Sequence, residues 1–533
     1  MSATAAPRWP LRVGPWPWRL WPGAGVSIAL ALCAYALRLV LSASSGASLH
    51  VDEAQYWDWS RQLQWGYYSK PPVIAALIAL STWCFGDSET GVRALPMLCH
   101  PLTALVLSAL AADAARGSGR PAQAAGPVVT LAPDTAAASA AVWAAALWLA
   151  SPLTGLLGVV ATTDGPLLLC WALALAALWW AVVRQRPAAW LLFALALGCG
   201  LLSKYSMAAL LPGAAGWVLV QGGRRARLGL AAALLAALLL WSPNLAWNQA
   251  AGWPTWRHTA DITVAAAGTA PGLAGRMGDV LQFGLGQGLV FGPAALLLAW
   301  WLRRAGVLQP SPLRALLWWT SLPLAALGAW QAWRGTAQIN WIAPVHLACC
   351  LALAWQVALA APAWRRRAGA ALLLQALCVA LVTGGPGLAQ RLGWPWPAQL
   401  DPWARMRGWG PALAQLAPVL QAQPGALVVG TSRAVLAHAG YHGRGLGLGR
   451  AAWQADDGPP VHHYALQCRW QAGAGPRPVL VLSEGAPPDL GAGMTWRLLA
   501  RVALRERAGQ RLELWLSQLQ PPSGAAADAA VCR

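Results

Sequence analysis

Charge is what this chain has least of. Only 11% of its 533 residues are Asp, Glu, Lys or Arg, and only 18 are acidic. Soluble domains carry roughly 25% charged residues. With 57% hydrophobic residues and a mean hydropathy of +0.47, the shortage excludes an ordinary soluble domain and indicates a polytopic membrane protein. Zinc-type spacing of cysteine and histidine is missing. Cys33, Cys170, Cys199, Cys349, Cys350 and Cys378 fall inside apolar segments, where cysteine acts as a small hydrophobe. Cys468 and Cys532 remain as a pair that an oxidising compartment would allow to join. No GxGxxG follows a strand and opens a helix, which excludes a dinucleotide site. The net charge of +20 is not gathered into a basic stripe. Nucleic acid is therefore excluded as a partner, and anionic membrane lipids are favoured. Arg8, Arg12 and Arg19 precede an apolar run from Val26 with no cleavage site between them, as in an uncleaved first helix. Internal repeats of the transporter kind are absent.

What is present is a series of about eleven apolar stretches between residues 26 and 388, each near the length that spans a bilayer. Arginines mark one side of them. Arg8, Arg12, Arg19, Arg116, Arg120, Arg184, Arg186, Arg224, Arg225, Arg227, Arg303, Arg304, Arg314, Arg365, Arg366 and Arg367 make 16 basic residues on one side, against 7 on the other. The richer side is cytoplasmic, which puts the N-terminus inside and the C-terminal tail outside. The sequence thus divides into a membrane domain over 1–390, with an outer loop at 45–91, and a domain over 391–533. Charge rises in the second part, and β-type runs occur at Ala426–Val429, Pro478–Leu482 and Leu512–Leu516, with a strand-turn-helix unit from Ala426 to Tyr441. It reads as a small α/β module outside the membrane.

The outer loop carries the most chemistry. His50-Val51-Asp52-Glu53 places two adjacent carboxylates beside a lipid-facing segment, where ionisable groups are costly and usually face a pathway or site. The pair suits a general base or a metal-holding group; Asp52 is equally suited to cap a helix over 53–64. Lys70, fixed by Pro71 and Pro72, suits a phosphate or a snorkelling contact with headgroups. Tyr56, Trp57, Trp59, Trp65, Tyr67 and Tyr68 form an aromatic cluster of the kind found at the headgroup level. Further on, Asp164 stands in a short outer turn, Thr162-Thr163-Asp164-Gly165-Pro166, either as a helix cap or as a third carboxylate of an acidic cluster. On the outer side, Lys204 suits an anionic headgroup or a snorkelling contact, Arg257 and His258 a phosphate or sugar or else a plain loop with a carboxylate-paired arginine, and Asn340 and Trp341, beside Gln338 and Arg334, a sugar.

HVDEAQYWDWSRQLQWGYYSKPP, TTDGPLLLCWALALAALWW, LLSKYSMAALLPG, SPNLAWNQAAGWPTWRHTAD and RLGWPWPAQLDP occur in this order. Together they resemble the bacterial branch of glycosyltransferase family 39, the dolichyl-phosphate-mannose-protein mannosyltransferase-like enzymes. These are related to the aminoarabinose transferase that modifies lipid A. The resemblance covers most of residues 26–400. It implies a GT-C-type glycosyltransferase fold and a sugar donor carried on a polyprenyl phosphate such as undecaprenyl phosphate. The acceptor would be a cell-envelope component (lipid A, polysaccharide or protein), met on the periplasmic face of the bacterial inner membrane. By that likeness Asp52 matches the catalytic aspartate, Glu53 its neighbour, Asp164 the second acidic position and Lys70 the lysine that contacts the lipid phosphate; beside them, Lys204, Arg257 and His258 are expected to face the donor phosphate, and Tyr56, Tyr68, Asn340 and Trp341 the substrate. Two positions depart from the pattern. Trp341 stands about where the aminoarabinose transferase has a phosphate-binding tyrosine, and Ser69 replaces a glutamate before the lysine, at a proposed metal site. A divalent cation is thus left open as cofactor. A lipid-linked sugar transporter or flippase is the rival reading, and would place its ionisable residues in broken helices near the bilayer midplane.

Overall fold

The computed structural model describes residues 20–117, 132–264, 272–293, 296–297, 300, 312–335, 337–471, 478–490, 494–507, 510–520 and 532. Arg8, Arg12, Arg19, Arg120, Arg303 and Arg304, which bear on orientation, lie outside them. The chain divides into two compact units. One comprises residues 1–41, 71–74 and 93–385, the other residues 42–70, 75–92 and 386–533.

The first unit is helical. Across the described residues, six helices are long and apolar enough to cross a membrane: Ala24–Ser44, Glu89–Arg116, Asp164–Val182, Arg224–Ala250, Ile339–Leu359 and Pro362–Leu392. The count of about eleven is not reached by this measure. Several apolar segments form helices too short to span alone, among them Ala188–Leu201 and Leu210–Gln221. Small side chains let the helices approach closely. Ala136, Ala137, Ala140, Ala141, Ala144 and Ala145 line the buried side of Pro133–Leu149. A Cβ on Gly213 would collide with the Trp319 carbonyl oxygen, so only glycine permits that contact.

The second unit is built on a five-stranded sheet, β1 (Leu427–Gly430), β2 (Gly449–Ala452), β3 (Val479–Glu484), β4 (Thr495–Arg507) and β5 (Gln510–Gln520), in the order β2-β1-β3-β5-β4. β1 runs parallel to both β2 and β3, while β5 is antiparallel to β3 and β4. All four residues of β1 are buried, as expected for a central strand covered on both faces. Val428, Leu480, Leu482 and Leu516 pack with the Trp409–Gln421 helix on one face; Leu427, Val429, Val481 and Trp470 fill the other. The three β-type runs of the sequence correspond to β1, β3 and β5. β2, Gly-Arg-Ala-Ala, holds no β-branched or aromatic residue to announce it, and β4 places Arg497 and Arg501 on a sheet edge, which masks its pattern.

Most of the outer loop belongs to this second unit rather than to the helical one. The cause is polar. The Val51–Arg61 helix is joined to the tail by Arg433–Asp52 and Arg450–Asp58 ion pairs, and Trp57 meets Tyr441 edge-on at 5.2 Å. A disulfide joins Cys468 to Cys532, with Cα atoms 5.4 Å apart.

Candidate active site

In the second unit, the Val51–Arg61 helix is started by His50 rather than by Asp52. His50 Nδ1 accepts a hydrogen bond from the Asp52 backbone N–H (3.2 Å), and the Glu53 carboxylate accepts one from the His50 N–H (2.8 Å). This reciprocal box satisfies two N–H groups of the first turn. The expected cap at Asp52 is thus replaced by one at His50. Glu53 is buried and engaged in the box, whereas the Asp52 side chain is 41% exposed.

Asp52 Oδ1 accepts from Arg433 Nη1 at 2.6 Å, and the same nitrogen donates to Gln55 Oε1 at 2.9 Å. Asp52 Oδ2 lies 3.6 Å from His50 Nδ1. Burial pushes the Asp52 carboxyl up. Arg433, His50 and Lys70 pull it down by more, and its pKa falls below the ordinary carboxylate value. Lys70 is half-buried, and its carbonyl accepts from the Tyr67 N–H at 3.1 Å.

The aromatic cluster is mostly interior, not a headgroup belt. Tyr56, Trp57, Trp59 and Tyr67 are buried; Trp59 stacks on Tyr67 at 4.4 Å, and Tyr56 sits 5.0 Å from Trp59. Burial raises the Tyr67 hydroxyl to about 12, and the Gln64 backbone N–H offsets part of that rise. Tyr68 is half-buried and Trp65 exposed.

In the first unit, Asp164 opens its helix after Thr163 and is 3% exposed. Lys204 Nζ donates to Asp164 Oδ1 at 2.8 Å, and Asn340 Nδ2 donates to Oδ2 at 2.9 Å. Lys204 comes from the extended residue between the Ala188–Leu201 helix and a short 3-10 turn, Tyr205–Ala209. Asn340 comes from the 3-10 turn Ile339–Ile342, whose Ile339 carbonyl accepts from Gln287; the Gln287 side chain meets His346 at 3.0 Å. Next to this cluster in sequence, the Tyr205 hydroxyl donates to Asn244 (2.7 Å) and accepts from Asn248 (3.0 Å). Trp341 is half-buried in the Asn340 turn. Arg257 is exposed and His258 half-buried on the Pro254–Val264 helix, where a loop was expected.

The structure thus gathers Asp52, Glu53 and Lys70 in one unit, and Asp164, Lys204 and Asn340 in the other. One residue was missed in the sequence: Arg433 went unnoticed although it opens the helix of the recognised strand-turn-helix unit. Lys70 and Lys204, the two lysines of a chain with 36 arginines, were both singled out, and both stand in these clusters. Among the described residues no three His, Cys, Asp or Glu side chains converge to hold a metal ion.

Residues 124–247 match the family model of dolichyl-phosphate-mannose-protein mannosyltransferases. The lipid A galacturonosyltransferase RgtD of Rhizobium johnstonii is 31% identical over 337 residues, which are 63% of this chain and 65% of that protein, so the match spans less than two thirds of the relative. Crystal structures of ArnT from Cupriavidus metallidurans superpose with TM-scores of 0.56 (apo, 15% identity) and 0.58 (bound to undecaprenyl phosphate, 14% identity). Each covers 92% of this chain and 97% of that one. The fold is that of the ArnT structures, a helical part with several membrane-length helices and a small C-terminal α/β part. The resemblance carried by the sequence motifs, to the mannosyltransferase-like family and its lipid A-modifying relatives, is found again by the family model, by the curated relative and by the fold.

Proposed function

We propose that this chain is an inner-membrane glycosyltransferase that passes a sugar from a polyprenyl-phosphate donor to a cell-envelope acceptor, with lipid A as the first acceptor to test. The observation that carries the reading is the Asp52 carboxylate, kept ionised at the head of a capped helix with Lys70 among its neighbouring charges, in a chain of this fold. The names of the relatives support donor and acceptor class: one acts on lipid A, and one binds undecaprenyl phosphate. The Cys468–Cys532 disulfide supports a tail in the oxidising periplasm, in accord with the arginine asymmetry.

In the reaction, the acceptor hydroxyl oxygen forms a bond to the anomeric carbon of the sugar, and the bond from that carbon to the phosphate oxygen breaks. The hydroxyl proton passes to Asp52, and the polyprenyl phosphate leaves as a phosphate monoester. Lys70 stabilises the growing negative charge of the leaving phosphate. Glu53 holds the helix start that aims Asp52. Asp164 is locked by Lys204 and Asn340, and serves to position rather than to carry a proton. Tyr56 and Tyr68 on the loop, and Trp341 beside Asn340, are assigned to substrate contacts.

Comparing lipid A and other envelope glycoconjugates by mass spectrometry, with and without the gene, tests the reading. A sugar-bearing species should vanish on deletion, return with the parent gene, and fall about 10²-fold with Asp52→Asn at equal insertion. An unchanged glycan profile after deletion, with altered distribution of a lipid-linked sugar across the membrane, would instead establish the transporter reading.

A further inference from the structure

We propose that Arg433, from the C-terminal part of the chain, is a positioning residue for Asp52: it fixes the carboxylate's rotamer through Oδ1 and leaves Oδ2 for the acceptor proton. This rests on the assignment of Asp52 as the base.

The geometry is specific. One guanidinium nitrogen bridges Asp52 Oδ1 (2.6 Å) and Gln55 Oε1 (2.9 Å), two groups three residues apart on one helical face. Gln55 is buried and cannot follow a swinging arginine. Arg433 is in turn fixed at its backbone. It is the first residue of the Arg433–His442 helix, whose cap Ser432 accepts from the Val435 N–H at 3.2 Å. The far end of that helix also grips the loop: the Tyr441 hydroxyl donates to the Asp87 carbonyl at 2.9 Å, and the Trp57 indole donates to the Asp87 carboxylate at 2.7 Å.

Stability alone does not account for an arginine here. Its side chain is 37% exposed and that of Asp52 41%, and ion pairs so exposed contribute little to folding. A cation in the first turn also opposes the helix dipole. The placement is explained by what the guanidinium does to the carboxylate. His50, Lys70 and Arg433 are the groups with positive or titratable character that act on Asp52. Glu53 is turned to the His50 N–H. His462, close enough to feel Arg433, is pushed down to about 4 by burial and by that guanidinium, so it stays neutral and does not compete for the carboxylate. Removing Arg433 leaves burial less opposed, and the carboxyl moves up.

The test uses the full-length protein in washed cell membranes that retain their own donor and acceptor lipids. The product measured is the sugar-bearing species absent from gene-deleted membranes, followed from pH 4 to 8. Because the parent carboxyl titrates below this window, Arg433→Gln should bring into it an acid limb that the parent lacks, and Arg433→Lys should remove most of that limb. In an Asp52→Asn background, Arg433→Gln should cause no further loss. If Arg433→Gln lowers transfer without an acid limb appearing, or lowers it additively with Asp52→Asn, Arg433 is merely structural and the proposal fails. If Asp52→Asn itself transfers normally, the base assignment fails, and this proposal with it. Full transfer by Arg433→Gln at every pH would also overturn the proposal while leaving Asp52 in place.

Discussion

Replacing Arg450 with methionine should release the helix that carries Asp52, and the size of the effect follows from the burial of the pair. Arg450 donates two hydrogen bonds to Asp58, at 2.9 and 3.0 Å, and a third to the Leu436 carbonyl at 3.1 Å. The side chains of Arg450 and Asp58 are only 6% and 12% exposed. Arg450→Met leaves the Asp58 carboxylate in the same low-dielectric place with no counter-charge. Breaking a buried pair from one side costs about 3–5 kcal/mol, which raises the population of the undocked Val51–Arg61 helix by about 10²- to 4 × 10³-fold. Hydrogen exchange in detergent or nanodiscs reads this directly. Amides of that helix should exchange faster by about that factor, while those of β3 stay protected and serve as the control. The double variant Asp58→Leu/Arg450→Met, which removes both charges, should recover most of the protection, because a pair of matched apolar groups carries no desolvation penalty. Exchange within about threefold of the parent for Arg450→Met would refute the reasoning: the ion pair would then not be what docks the helix.

Lys204→Met should destabilise the protein by about 3–5 kcal/mol, because it strands the buried Asp164 carboxylate with Asn340 alone; adding Asp164→Asn should restore the melting temperature but not transfer, and a singly substituted protein that melts normally would count against the pairing. Burial pushes His463 down to about 3, against the pull of Asp58, and His462 down to about 4, where Arg433 adds to the fall. Since the unfolded chain takes up these protons first, stability should be full above about pH 6.5 and decline as the pH falls toward 4 and then 3. Melting curves across that range check this, and a midpoint that does not fall between pH 6.5 and 4 would contradict it. Thiol titration of the denatured protein should find the eight free cysteines before reduction and all ten after. Cys532→Ser should lower the stability of the tail by about 2–4 kcal/mol, since the bond joins residues 64 apart; a reading of ten thiols without reduction would show that the bond does not form.

The sequence determined the membrane character, the tail with its strand-turn-helix unit, and the positions of Asp52, Lys70, Asp164 and Lys204. The reason is scarcity. In a chain with so few charges, and only two lysines, each ionisable residue beside an apolar span stands out, and apolar length is read without tertiary information. Tertiary structure decided the rest. The partner of Asp52 is 381 residues away and is one of 36 arginines, so no local pattern could single it out. The helix start at His50 depended on a ring nitrogen facing a backbone N–H, a contact that the usual preference for Asp as a cap hides. The aromatic loop had the same composition whether it faced headgroups or an interior. Its burial was set by the buried Asp58–Arg450 pair and the edge-on Trp57–Tyr441 contact, which hold the Val51–Arg61 helix on the tail's own strand and helix.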